Sequence, residues 1–347
     1  MVAKKRYKRK QAAKNQKLHG KQAWLKTKPD VIAALDLGTN NCRLLIVKPN
    51  PNGFQVIDGF SRIVRLGEGL LNKGELTKEA MARTFDALSV CGKKVIKQGV
   101  MHGRYVATEA CRQAKNAEEF LKKVEEEIGI WVEIIPSKKE AELTLLGCIP
   151  LLDPEIPFAL MFDVGGGSAE FTWIKMEKDK PEILGCISLP CGVVTIAEKY
   201  GFPEIAPERY KKIVRDIQTL LNPFDKEFEI SQTLLEGRAQ ILGTAGTVTT
   251  ISAIQMGLKK YNRNLVDGSW LNFSDVHLIC RDLVYATFDQ RAAYTCIGLE
   301  RAELIVAGCA VLEAICKTWS SYRLRVADRG LREGILVELS DLVLKPF

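Results

Sequence analysis

With 347 residues, 46% of them hydrophobic and 27% charged, the chain has the composition of a soluble globular protein of about two domains, each with a full core. No apolar run reaches the length of a membrane span. Ten cysteines without a CxxC pair and three histidines far apart in sequence argue against a zinc site or a histidine-rich catalytic centre. Free thiols in a reducing cytoplasm are expected instead.

The net charge of +8 belongs to one segment, because Met1–Lys28 holds eleven Lys or Arg and no acid. This stretch lacks the apolar core of a secretory signal. Residues 1–29 are therefore expected to form a basic disordered arm, either simply solvated or contacting a polyanion such as nucleic acid, anionic membrane or a polyanionic substrate.

After the arm, residues 31–37, 42–47 and 54–60 read as three strands, with a Pro-Asn-Pro-Asn-Gly turn at 49–53. The Arg65-Leu-Gly-Glu-Gly69 turn follows. Thr77 then caps an amphipathic helix reaching about Gln98, with Met81, Phe85, Leu88 and Val95 on its apolar side. A short strand at 104–107 runs into Thr108-Glu-Ala-Cys-Arg112, which brings Arg112 to the carboxyl end of a sheet. Asn116 is the expected cap of a helix at 117–128, and 131–135 is a further strand. Pro136 breaks the chain before Ser137-Lys-Lys-Glu140, a pattern that reads as a capping box in which Glu140 reaches back to the start of its helix. Residues 150–157 form the linker, giving domains at 30–154 and 155–347, with the last helix free to pack back on the first. In the second domain, strands are expected within 160–174 and at 182–189 and 323–327. Helices are expected at 192–200, 207–221, 248–257, 274–288, 300–319 and 331–344.

The stretch Leu160–Ile174 is an apolar strand, a glycine turn and a second strand. Gly165, Gly166 and Gly167 have no side chains, so their backbone N–H groups, with Ser168, can approach a large anion such as phosphate. Asp163 just before them suits Mg²⁺, which takes oxygen ligands and keeps several waters. Alone, such a turn is equally an ordinary glycine-rich hairpin. Ala33–Val47 repeats it without a gap: Asp36 falls on Asp163, Gly38 on Gly165, Asn40 on Gly167 and Arg43 on Glu170. The repeat implies a duplicated fold with two anion-binding hairpins facing a cleft. A third glycine loop, with Gly243, Thr244, Gly246 and Thr247, opens into a helix whose free N–H groups favour anions.

These motifs, with Arg65-Leu-Gly-Glu-Gly69, the Arg112 segment, Glu140-Ala141 and Gly330-Leu-Arg-Glu-Gly334, keep the order seen in the Ppx/GppA phosphatases, which the chain resembles from about Val31 to its end. These are the exopolyphosphatases and guanosine pentaphosphate phosphohydrolases. The resemblance implies an α/β actin-like (ASKHA) fold of two RNase-H-like domains with an interdomain cleft. The chain looks like a short form, without the C-terminal helical domains of the longer members.

The resemblance further implies Asp36, Asp163 and Glu170 on the Mg²⁺ side and Gly165–Ser168 as the phosphate cradle. Asn40, Gly243, Thr244, Gly246 and Thr247 are further phosphate contacts, Arg43 and Arg112 cationic clamps, and Glu140 the base that activates water. The implied substrate is inorganic polyphosphate or guanosine pentaphosphate, and a homodimer is a candidate assembly. Asn41, Ala169 and Ala245 stand where the family often has Ser or Thr, and Lys138-Lys139 precede the base, where Lys139 is a candidate for strengthening polyanion binding. An actin-like-fold kinase or ATPase, or a non-enzymatic sensor of an alarmone or polyphosphate, are the alternatives.

Overall fold

The computed structural model describes residues 30–50, 53–177, 180–201 and 205–344. The basic arm and residues 51 and 52 of the expected 49–53 turn lie outside them.

Two sheets follow one plan. The first contains β1 (Ile32–Leu37), β2 (Asn41–Asn50), β3 (Gly53–Ile63), β4 (His102–Ala107) and β5 (Glu133–Ile134), in the order β3-β2-β1-β4-β5. The second contains β6 (Phe158–Val164), β7 (Ala169–Lys175), β8 (Glu182–Leu189), β9 (Ala239–Thr244), β10 (Trp270–Asn272) and β11 (Arg323–Ala327), in the order β10-β11-β9-β6-β7-β8. In each, three antiparallel strands are extended by strands parallel to the first of them. Only β10 breaks the correspondence; its three residues are too few to show an alternating pattern in the sequence. Asp36 pairs with Arg43 across the first hairpin and Asp163 with Glu170 across the second, so the gap-free sequence repeat is also a structural one. This is the actin-like fold of two RNase-H-like halves.

Outer faces are covered as the apolar spacing requires. Helices Lys78–Lys97 and Ala117–Ile128 place Leu88, Cys91, Phe120 and Val124 against Leu35 and Leu44 of the first sheet. Thr77 does cap the first of these, accepting from the N–H of Ala80. Asn116 occupies the cap position of the second, but its side chain makes no capping bond: its amide accepts from Leu76 N–H at 2.8 Å and donates to Leu76 O at 3.0 Å, tying the two helix starts together. On the second sheet, Phe162 and Phe171 pack beneath helices Pro207–Phe228, Phe273–Tyr285 and Ile305–Thr318. The first of these continues seven residues past its expected end and through Pro223, because Leu221 and Phe224 are buried on either side of it. The expected 300–319 helix is split into Gly298–Ala302 and Ile305–Thr318, and the 274–288 helix ends at Tyr285, before a capping box at Thr287 opens a new turn.

Inner faces are covered crosswise. Helix Ser137–Cys148 follows the first sheet in sequence, yet its Leu145 and Cys148 pack with Met161 and Leu242 of the second. Helix Leu331–Leu344 follows the second sheet, yet Leu331, Ile335 and Leu336 pack with Ile32, Ala34 and Leu45 of the first. The two helices also cross each other at glycines. A Cβ on Gly147 would lie 2.2 Å from the carbonyl oxygen of Gly330, and one on Gly334 would lie 1.7 Å from that of Leu143. Backbone therefore touches backbone where Glu140 and Arg332 enter the space between the sheets.

Candidate active site

A cleft of about 480 Å³ opens between the two sheets. Each central strand delivers a carboxylate to it, Asp36 from β1 and Asp163 from β6, followed by its hairpin turn. The turns are in contact. A Cβ on Gly166 would lie 3.1 Å from Asn40 and Thr39, and one on Gly167 would lie 2.5 Å from the hydroxyl of Thr39. Only glycine permits that approach. The carbonyls of Gly165 and Gly166 accept from Val193 N–H (3.0 Å) and Val194 N–H (2.8 Å) at the start of helix Val193–Tyr200, and Gly167 O accepts from the Thr195 hydroxyl at 2.7 Å. A trans peptide points its N–H opposite to its C=O, so the donor side of the turn is left to the cleft.

Four acids crowd this space. Burial raises Asp36 above its ordinary range, with Arg43 opposing. Burial pushes Asp163 up to about 7, and the charges of Glu170 and Asp36 add to it. Burial also lifts Glu140 well above the usual carboxylate range, reinforced by Glu170 and opposed by Arg112. Glu170 is raised by burial, although its Oε1 accepts from the hydroxyls of Ser168 and, at 2.8 Å, Ser188. Mutual repulsion among buried carboxylates is relieved by a cation. Asn40 Oδ1 is buried without a partner among the described residues, so an acceptor is also waiting for a donor or a cation. The donor set is all oxygen, which fits Mg²⁺. Among the described residues no three His, Cys, Asp or Glu converge tightly enough to cage a metal alone.

The expected site residues divide as follows. Asn40, Arg43, Glu140, Thr244, Gly246 and Thr247 line the cleft with the two hairpins. Arg112 does not. Its Nε and Nη2 donate to Glu109 Oε2 at 2.9 and 2.7 Å, and its Nη1 donates to Ile135 O at 3.0 Å and to Glu140 Oε2 at 2.7 Å. In this structure the guanidinium of the expected phosphate clamp is engaged by Glu109, Ile135 and Glu140. Gly243 is also corrected: it lies within β9, where a Cβ would fall 2.4 Å from the ring of Phe162, so it is needed for sheet packing. The Ser168 hydroxyl serves Glu170, and that of Thr244 donates to Arg329 O at 2.8 Å. Lys139 turns away to Glu338 of the last helix at 2.9 Å. The capping box at Ser137 does not form; Pro136 takes the cap position, making Ser137 the first helical residue and freeing Glu140 for Arg112.

Three residues of the site went unread in the sequence. Ser188 lies on β8 with no local signal. Arg301 lines the cleft and donates to the Thr250 hydroxyl at 3.0 Å. Arg332 lines it from the start of the last helix, inside the Gly330–Gly334 motif.

The family model that describes the Ppx/GppA phosphatase family matches residues 45–342. The chain belongs to the Ppx/GppA phosphatase family. It is 28% identical to "Exopolyphosphatase 2" of Mycobacterium tuberculosis, over 89% of this chain and 98% of that protein. Among solved structures, the Ppx/GppA family member of Aquifex aeolicus superposes with a TM-score of 0.73 at 28% identity, covering 89% of this chain and 97% of that one. An exopolyphosphatase from Cytophaga hutchinsonii superposes with a TM-score of 0.80 at 27% identity, covering 90% and 98%. Family membership makes this Ppx/GppA protein a phosphoanhydride hydrolase. No helix among the described residues is long and apolar enough to cross a membrane.

Proposed function

We propose that this Ppx/GppA protein is an exopolyphosphatase, releasing the terminal phosphate of inorganic polyphosphate with Glu140 as general base and Mg²⁺ as cofactor. The observation that carries the reading is the Glu140 carboxylate, held by Arg112 at 2.7 Å and lining the same cleft as Asp36, Asp163 and the glycine turn. Burial and the charge of Glu170 raise its proton affinity, which makes the ionised carboxylate a stronger base.

In this reading the N–H groups of Gly165–Gly167 and the guanidinium of Arg43 hold the terminal phosphoryl oxygens. Mg²⁺, held by Asp36 and Asp163, would neutralise charge on the phosphate chain. Glu140 takes one proton from water as the water oxygen bonds to the terminal phosphorus. The bridging P–O bond breaks, and its electron pair leaves on the shortened chain. Glu140 then gives that proton to the leaving oxygen of the shortened chain, and orthophosphate, which keeps the other proton of the water, departs. Arg112 and Glu109 keep the Glu140 side chain in one orientation, while Ser168 and Ser188 do the same for Glu170. The names of the Mycobacterium tuberculosis and Cytophaga hutchinsonii relatives favour polyphosphate over guanosine pentaphosphate. The test is phosphate release measured side by side on long polyphosphate, tripolyphosphate, guanosine pentaphosphate and ATP with Mg²⁺. Faster release from guanosine pentaphosphate than from polyphosphate would reverse the substrate assignment.

A further inference from the structure

Every cation facing the cleft has an account except one. Arg301 is committed to Thr250 and Arg329 to Asp267, and Arg62 lies over the ring of Phe60. Arg43, which makes no ion pair to any described residue, is already placed on the terminal phosphoryl oxygens in the polyphosphate reading. Arg332 has no such assignment. It enters the cleft from the first turn of helix Leu331–Leu344, where the helix dipole disfavours positive charge. It lines the cleft and makes no hydrogen bond or ion pair to any described residue. The adjacent carboxylate of Glu333 does not satisfy it, because Glu333 Oε1 accepts from Arg263 Nη2 at 2.7 Å and Oε2 from Gly330 N–H at 3.0 Å. Arg43 repels it, while Asp36 and Glu333 attract it from beyond ion-pair distance.

A guanidinium so placed costs free energy in the empty protein. It is kept there rigidly, because the backbone beneath it is pinned at the Gly147, Gly330 and Gly334 crossing. We propose that Arg332 is the second cationic grip on the phosphate chain, beside Arg43, in the place that the family resemblance gives to Arg112. The inference rests on the polyphosphate reading above. Its chemistry is recognition of the phosphate oxygens of a linear phosphoanhydride by a planar fork of N–H donors, which an ammonium group reproduces only in charge. Arg43 belongs to the first sheet and Arg332 to the helix that crosses back from the second, so a chain held by both also ties the crossing helix to the first hairpin.

The test is calorimetric binding of tripolyphosphate with Mg²⁺ to protein carrying Glu140→Gln, so that nothing is hydrolysed. Added Arg332→Gln should weaken binding at least about tenfold, and Arg332→Lys should recover only part of the loss. Without ligand, the melting temperature of both variants should stay close to that of the parent, since only the longer-range attraction to Asp36 and Glu333 is lost. Unchanged affinity in Arg332→Gln would overturn the proposal. So would a lower ligand-free melting temperature, or failure to fold, in both Arg332 variants, because the guanidinium would then serve the fold. If the Glu140→Gln protein itself bound no tripolyphosphate, the polyphosphate reading would fall and this proposal with it.

Discussion

Arg112 Nη1 donates to Glu140 Oε2 at 2.7 Å while its other nitrogens donate to Glu109 Oε2. One guanidinium thus joins the strand-to-helix junction after β4 to the first turn of the crossing helix, and Glu140 is held between two structural units. Because Arg112 favours the ionised form of Glu140, its removal has a definite sign. In Arg112→Gln the Glu140 carboxyl should hold its proton to higher pH, moving the acid limb of the rate profile upward. Turnover near neutral pH should fall about 10- to 100-fold, with KM for tripolyphosphate nearly unchanged. A large rise in KM at constant turnover would instead return Arg112 to the role of a phosphate clamp.

The buried acids make stability depend on pH and metal in a linked way. Asp163 titrates at about 7 in the fold against 3.8 for the free side chain, so the folded state binds a proton more tightly than the unfolded one. Its contribution is fully present below about pH 4 and is lost as pH rises toward 7. Metal-free protein should therefore lose melting temperature between pH 5 and 8, and Mg²⁺ should raise it more at pH 8 than at pH 5. In Asp163→Asn both the pH dependence and the metal gain should shrink. A Mg²⁺ effect of the same size in that variant would remove Asp163 from the cation site.

The glycines of the Gly330-Leu-Arg-Glu-Gly334 motif have a packing reason. With Leu143 O only 1.7 Å from a Cβ at position 334, Gly334→Ala must push the two crossing helices apart. Overpacking against rigid backbone should cost on the order of 3 kcal/mol, read as a lower denaturant midpoint, and phosphate release should fall because Glu140 and Arg332 ride on those helices. Gly246→Ala is the control, since nothing lies within 4 Å of a Cβ there. Equal midpoints for both variants would mean the crossing can relax at no cost.

Much of the frame was legible because it is local. A carboxylate before a glycine turn between apolar strands reads the same in the chain as in space, and the repeat of Asp36 and Arg43 on Asp163 and Glu170 survives as an identical strand register. What needed the structure is nonlocal. Nothing near Ser188 reveals that its hydroxyl meets Glu170, and although the last helix reads as free to pack back on the first domain, nothing near Arg332 reveals that this brings its side chain into the cleft. Gly243 is ambiguous in sequence, where a glycine packed on the ring of Phe162 looks like one that cradles an anion. The capping box at Ser137 failed by one position, since the extended Pro136 takes the cap and leaves Glu140 facing Arg112.

Glu140 as the base is the claim on which the rest depends, and Glu140→Gln tests it most directly because glutamine keeps an acceptor for Arg112 but cannot take a proton from water. The measurement is the rate of orthophosphate release from long-chain polyphosphate with Mg²⁺ at pH 7.5, wild type against Glu140→Gln, with tripolyphosphate affinity and melting temperature recorded on the same preparations. Wild-type protein should release phosphate, and the variant should be slower by about 10²- to 10⁴-fold with affinity and melting temperature preserved. Wild-type rates in the variant would contradict the assignment and move the search for the base to Glu109 or Glu170.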